Sequence, residues 1–185
     1  MRLLHIMKAE TNVRTTAIDS VALAVIVASL IAVTPTLRGL EQSTPDATLA
    51  ISGDVSSPLT VSAREIKTMP RTTVTVSEEG RDVKYEGVLV GELLKRAGAP
   101  TGRDMTGAAV ATYVVASAKD GYRAVFSLAE LDPGFTSNDV IVADTVDGKP
   151  LFDYQGPLRI VAPHDKRGAR SVRMLQKIEV VRLPK

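Results

Sequence analysis

The chain has 185 residues, with 23 Lys/Arg against 21 Asp/Glu and a formal net charge of +2. It contains no cysteine, which excludes disulfides, thiolate metal sites and cysteine nucleophiles. Only 4% of its residues are aromatic, too few for the stacking platforms of a single-strand nucleic-acid binder, so nucleic acid is set aside as a partner.

Arg2, Lys8 and Arg14 precede a run from Val21 to Val33 that is apolar apart from Ser29 and ends at Thr34-Pro35. As a helix this run rises about 20 Å, against a bilayer core of about 30 Å. Residues 1–35 are therefore read as a secretory signal or an N-terminal membrane anchor. Ala32 and Thr34 are small enough for a cleavage site, but Pro35 would hinder the cut; extending the run back to Ala17 would include Asp19. The expectation is export to the periplasm or exterior, with residues 21–33 as an alternative membrane tether. Residues 36–46 read as a polar linker, and 47–185 as one domain long enough to bury its own core.

Within that domain, Leu49–Ser52 reads as a first strand. Thr60 or Ser62 caps a short helix through Thr68, with Glu65 as reciprocal partner, and Pro70 stops it. Thr72–Val76 and Asp82–Tyr85 form a hairpin around Glu79-Gly80. Val90, Leu93, Leu94 and Ala97 fall on one face of a second helix, Gly91 to Ala97, which Gly98 and Pro100 end. Thr112–Ala116 and Tyr122–Phe126 are strands joined at Lys119-Asp120-Gly121, and Ser127 with Glu130 caps a brief helix. Val140–Ala143 reads as a buried strand before a tight turn at Asp147-Gly148. Leu158–Ala162 and Ile178–Leu183 complete a strand-rich, mixed α+β fold.

Charge is unevenly spread. From Arg159 onward eight Lys/Arg face only Asp165 and Glu179, leaving the rest of the chain net acidic. A basic C-terminal quarter suits a phosphate or anionic lipid, or is simply a solvated edge. His164, Lys166 and Arg167 crowd one loop, followed by Arg170, Ser171 and Arg173. Arginine offers a planar fork that pairs two oxygens at once, and the Ser171 hydroxyl adds a donor. If Ser171 starts a short helix, its first-turn amides join them.

Several segments occur in a telling order: Tyr85-Glu86-Gly87-Val88-Leu89-Val90-Gly91-Glu92-Leu93-Leu94, then Asp120-Gly121-Tyr122, then Val140 to Leu151 with its Asp-Gly-x-Pro-Leu turn. They are followed by Gly156-Pro157-Leu158-Arg159-Ile160-Val161-Ala162-Pro163 and Gly168-Ala169-Arg170-Ser171-Val172-Arg173-Met174-Leu175. From Thr48 to Leu183 this pattern resembles the oxidoreductase molybdopterin-binding domain family, whose fold is that of the sulfite oxidase catalytic domain. The resemblance implies that fold, molybdopterin as cofactor, and a cofactor-binding set of His164, Arg167, Arg170, Ser171 and Arg173. Arg173 stands where the family more often has Lys. The family's molybdenum-ligating Cys is missing, and only Ser77, by position, stands in for it; no metal site is assigned.

The other candidates are weaker. Ser171, His164 and Asp165 could be assembled into a hydrolytic triad, but adjacent His and Asp point apart and no nucleophile elbow accompanies them. Asp139, Asp144, Asp147 and Asp153 lack calcium-loop spacing. Tyr122 and Tyr154 read as packing residues with polar tips. Three functions follow: an exported binder of a pterin-type or other phosphorylated ligand without a standard molybdenum–thiolate centre, a molybdenum–pterin redox enzyme with a non-Cys ligand, or a non-enzymatic module docking an envelope redox partner.

Overall fold

The computed structural model describes residues 47–184; the expected leader at 1–35 and linker at 36–46 lie outside the described residues. In chain order the first half carries β1 (Thr48–Gly53), β2 (Leu59–Ser62), α1 (Ala63–Thr68), β3 (Thr72–Glu78), β4 (Arg81–Leu89) and α2 (Val90–Arg96). The second half carries β5 (Thr112–Ala118), β6 (Arg123–Ser127), β7 (Ile141–Val146), β8 (Lys149–Pro150), β9 (Arg159–Val161) and β10 (Leu175–Arg182). Short 3-10 turns punctuate the connections.

The strands form two sheets. One has the order β2–β1–β10–β5–β6, with β1 and β10 parallel and the other pairs antiparallel. The other runs β3–β4–β7–β8, with β9 also paired to β7. In the first sheet the period-two pattern turns Leu49, Ile51, Val114, Ala116, Phe126, Ile178 and Val180 into one core. Ile66 of α1 and Leu93 and Leu94 of α2 close over that core.

The second sheet is buried on both faces where β4, β7 and β9 meet. Val88, Val142 and Ile160 face the main core, while Tyr85, Ile141, Ala143 and Val161 form a second cluster with Val74 and Leu151. This double burial explains the uninterrupted apolar run at 140–143.

Local signals act as their chemistry dictates. Ser62, the second of the two candidate caps, accepts from the Glu65 amide while Glu65 accepts from the Ser62 amide. Glu79 and Gly80 adopt φ of 53° and 77°, and the register Glu78↔Arg81 makes theirs a two-residue hairpin turn of the primed kind. Val90, Leu93, Leu94 and Ala97 are buried and Glu92, Lys95 and Arg96 exposed. Ser127 and Glu130 exchange amide hydrogen bonds at 2.7 and 3.1 Å around their brief turn. β6 begins at Arg123 rather than Tyr122, because the Tyr122 amide is taken by the Asp120 carboxylate at 2.9 Å.

One buried acid ties β7 to the chain before β3. Asp144 is 3% exposed and receives both Nη groups of Arg71 at 2.8 and 2.6 Å and the Thr145 hydroxyl at 2.7 Å. Burial pushes its carboxyl up, but the hydrogen bonds from Arg71 and Thr145, with the Arg71 charge, outweigh this and hold it below its ordinary 3.8. A depressed carboxylate stabilises the fold fully above its unfolded pKa and loses that contribution as pH falls through its folded value. Asp144→Asn is expected to cost about 2 kcal/mol at pH 7, less than a fully buried pair because Arg71 can rehydrate. Urea titrations should show the gap to wild type narrowing as pH falls below 3.8; a gap constant with pH would remove Asp144 as its source.

Candidate functional site

β9 leads into a loop whose two ends are stapled by backbone. Ile160 donates to the Val172 carbonyl and Leu175 to the Leu158 carbonyl, each at 2.8 Å. Val172 is fully buried in the main core. Residues 162–171 are thereby held as a closed excursion from the sheet rather than a loose loop.

The β5–β6 turn packs against this excursion. The Tyr122 hydroxyl donates to the Ala169 carbonyl at 2.6 Å, and the Lys119 amide to the Met174 carbonyl at 2.9 Å. Between them lies a cleft of about 260 Å³, bordered by Asp120 and Tyr122 on one side and Gly168, Ala169, Ser171 and Arg173 on the other. A second cleft of about 520 Å³ is lined by Lys119, Asp153, Pro157 and Met174 among others. Asp153 and Met174 there hold left-handed φ of 47° and 46°, a conformation that disfavours side chains.

The sequence-derived candidates divide. Ser171 and Arg173 line the first cleft. Ser171 is nearly buried, and its Oγ accepts from the Ala162 amide at 3.4 Å. Arg173 is exposed, stacks on the Tyr154 ring at 5.1 Å, and forms no ion pair among the described residues. The stacking limits the side chain's freedom while leaving its donors to solvent.

Arg170 is oriented differently. Its Nε and Nη2 donate to Asp165 at 2.8 and 2.6 Å, and its Nη1 to both oxygens of Glu130 at 3.1 and 3.2 Å. The guanidinium also lies 4.7 Å from the Phe126 ring centre. Hydrogen bonds to Asp165, then Glu130, hold it still further above its ordinary value against the effect of partial burial. Its charge is already met by two carboxylates.

His164 and Arg167 are exposed on the same excursion and do not line the cleft. Ser77 sits mid-hairpin on β3, exposed and paired with Asp82, and is likewise not a cleft residue. The helix considered at Ser171 is absent: a single 3-10 turn, Gly168–Arg170, ends there, and the Ser171 amide donates back to the Gly168 carbonyl at 3.0 Å. Its amide therefore closes a turn instead of opening one. Tyr122 and Tyr154 are 49% and 58% exposed, so neither is core packing: Tyr122 lines the cleft, and Tyr154 lies under Arg173.

The remaining alternatives lose their geometry. Asp165 binds Arg170, which removes the acid from a triad with His164. Asp144 is taken by Arg71, and Asp147 accepts from the Lys84 amide at 3.0 Å. Among the described residues no group of three or more His, Cys, Asp or Glu could hold a metal ion. Sequence reasoning missed Glu130 as a partner of Arg170, since its capping role gave it a sufficient local explanation. Asp120 and Tyr122 were visible as a turn motif, but nothing local marked them as a cleft wall.

The sequence model of the oxidoreductase molybdopterin-binding domain family matches residues 38–185. The chain belongs to that family. Among solved structures, this molybdopterin-binding domain resembles the sulfane dehydrogenase SoxCD from Paracoccus pantotrophus, with a TM-score of 0.59 and 20% sequence identity. The match covers 75% of this chain and 39% of the matched SoxCD chain, so the domain spans about two fifths of that chain's length. At this identity the likeness carries the fold alone: strand-rich and of the sulfite-oxidase type. No curated protein sequence matches the chain.

Proposed function

We propose that this molybdopterin-binding domain holds a pterin-type or other phosphorylated ligand in the cleft between the β5–β6 turn and residues 168–173, without a protein thiolate on molybdenum. One observation carries this reading: Arg173, the cation at the cleft, stands with no carboxylate partner among the described residues and is braced by Tyr154. An exposed, braced guanidinium is suited to two phosphate oxygens at once, and Ser171 lines the same cleft.

The anion-binding part of the family's cofactor fits these residues; its metal-binding part does not. The sequence has no Cys, and the two-residue turn at Glu79-Gly80 keeps Ser77 within a paired strand. Molybdenum on a pterin supplies redox chemistry where it is bound; this chain's residues would grip the phosphate through Arg173 and Ser171. No reaction step is derived through the metal.

The basic leader and the apolar run at 21–33 support an exported domain, free or tethered, that meets its ligand in the cell envelope. No helix among the described residues is long and apolar enough to cross a membrane, so a tether would rest on that run. A second reading has its own support. Tyr154, 58% exposed under Arg173, and Phe152, 63% exposed two residues earlier in the chain, are residue types enriched at protein interfaces, which suits docking of an envelope redox partner.

The full chain, produced in a molybdopterin-competent host, is expected to carry pterin, seen by fluorescence after denaturation, without stoichiometric molybdenum by mass spectrometry. Arg173→Ala should weaken ligand binding about tenfold, the loss of one charge-assisted pair. Absence of pterin, with a melting temperature indifferent to phosphate-bearing ligands, would end this reading. Stoichiometric molybdenum would instead favour a redox enzyme with an oxygen ligand.

A further inference from the structure

Arg170 carries the family's anion-binding pattern, yet in this fold its donors are engaged by Asp165 and by both oxygens of Glu130. One guanidinium between two carboxylates leaves the group one negative charge in excess. Arg170, Asp165 and Glu130 do not themselves line the cleft, but Arg170 sits in the chain between Ala169 and Ser171, which do. The three side chains are 20–33% exposed, close enough to solvent for a ligand to compete with them. Glu130 is also held from its own turn, where it accepts from the Ser127 amide at 2.7 Å, so it does not depend on Arg170 for its position.

We propose that Glu130 and Asp165 are affinity-determining residues of this anion site. They withhold Arg170 from the ligand, leave Arg173 as the cation offered, and disfavour anions of high charge. This rests on the cleft being an anion site, and it adds a specificity: a ligand with one phosphate-type group is accepted over a polyphosphate. The reason is electrostatic. A carboxylate near an anion, in the intermediate dielectric of a half-exposed cleft, opposes binding, and the opposition grows with ligand charge.

Isothermal titration of the full chain with inorganic phosphate and with pyrophosphate reads this directly. Glu130→Gln keeps an acceptor for the Ser127 amide, and Asp165→Asn keeps the shape of its side chain. Each removes one charge from a half-exposed pair and should leave a folded protein, and either variant alone decides the question. Each is expected to tighten pyrophosphate binding by about fivefold and phosphate binding by less, whereas Glu130→Asp should behave as wild type. A merely structural role for the two acids would lower the melting temperature without changing the phosphate-to-pyrophosphate ratio.

If wild type binds and Arg173→Ala weakens it, but neither neutral variant tightens pyrophosphate, the carboxylate role is overturned and the anion site stands. Binding seen only in the neutral variants supports the role. If wild type and every variant bind neither probe, the anion site falls, and the carboxylate role with it.

Discussion

Replacing Arg159 with leucine is expected to lower the unfolding free energy by about 3 kcal/mol, at the low end of the cost of breaking a buried ion pair. Arg159 is 3% exposed at the start of β9, yet its partners come from three other places. Its Nη1 donates to the Tyr85 hydroxyl at 2.5 Å and to the Gln155 side chain at 2.8 Å, and its Nη2 to Glu78 at 2.8 Å. The guanidinium also stacks on the Tyr85 ring at 4.8 Å.

Tyr85 remains a neutral donor in this network. Burial pushes its phenol up, and the Arg159 charge offsets only part of that. Its hydroxyl donates to Glu78 at 3.0 Å. Leucine at 159 would strip the buried Tyr85 hydroxyl of its donor and leave Glu78 to water, which it can reach at 33% exposure. Two facts moderate the loss: that rehydration, and removal of the Arg159 Nε, which is buried without a partner. Tyr85→Phe should cost about 1 kcal/mol, one hydrogen-bonded hydroxyl. Urea denaturation followed by circular dichroism tests both; a leucine variant within 1 kcal/mol of wild type would mean the network contributes specificity and little stability.

Gly87→Ala is expected to destabilise by about 3 kcal/mol or more, beyond the usual range for an inserted methyl. A Cβ built at Gly87 would lie 2.0 Å from the Val142 carbonyl oxygen and 2.6 Å from the Ala143 Cα. Both are backbone atoms of β7, so no side chain can turn aside. Gly87 pairs with Ala143 where the β4–β7 register shifts between Glu86 and Gly87. The bulge brings the two backbones together, and only a residue without Cβ permits the approach. Relief would require β4 to part from β7, opening both cores at Val88 and Tyr85. Hydrogen exchange should report it as lost protection across β4 and β7 together. Protection kept there, with a thermal midpoint near wild type, would show that the strands yield more easily than this geometry allows.

Elements whose cause lies within a few residues were legible in the sequence. The Ser62–Glu65 box, the Glu79-Gly80 turn and the buried face Val90, Leu93, Leu94, Ala97 each depend on neighbours no more than seven positions away. Lengths were less legible: β7 runs on to Val146 and β5 to Ala118 because ladder partners on other strands extend them. At the site, Ser171 and Arg173 were found through composition and motif order, and both line the cleft. Glu130 was not found as a partner of Arg170, since it lies 40 positions away and only packing of the β6 end against the 162–171 excursion joins them. The same limit hid the Arg159–Glu78 pair, 81 positions apart.

By itself, then, the sequence determined the strand periodicity, the caps and turns, the absence of any thiolate, and a loop rich in cations. These follow from residue chemistry and near-neighbour geometry. Which cations remain available was decided only by the tertiary structure. It buries Arg159 against Tyr85, neutralises Arg170 between two acids, and leaves Arg173 braced on Tyr154 at the cleft. The physical reason is that a charge is offset by groups within a few ångströms in space, and chain folding alone brings those groups together.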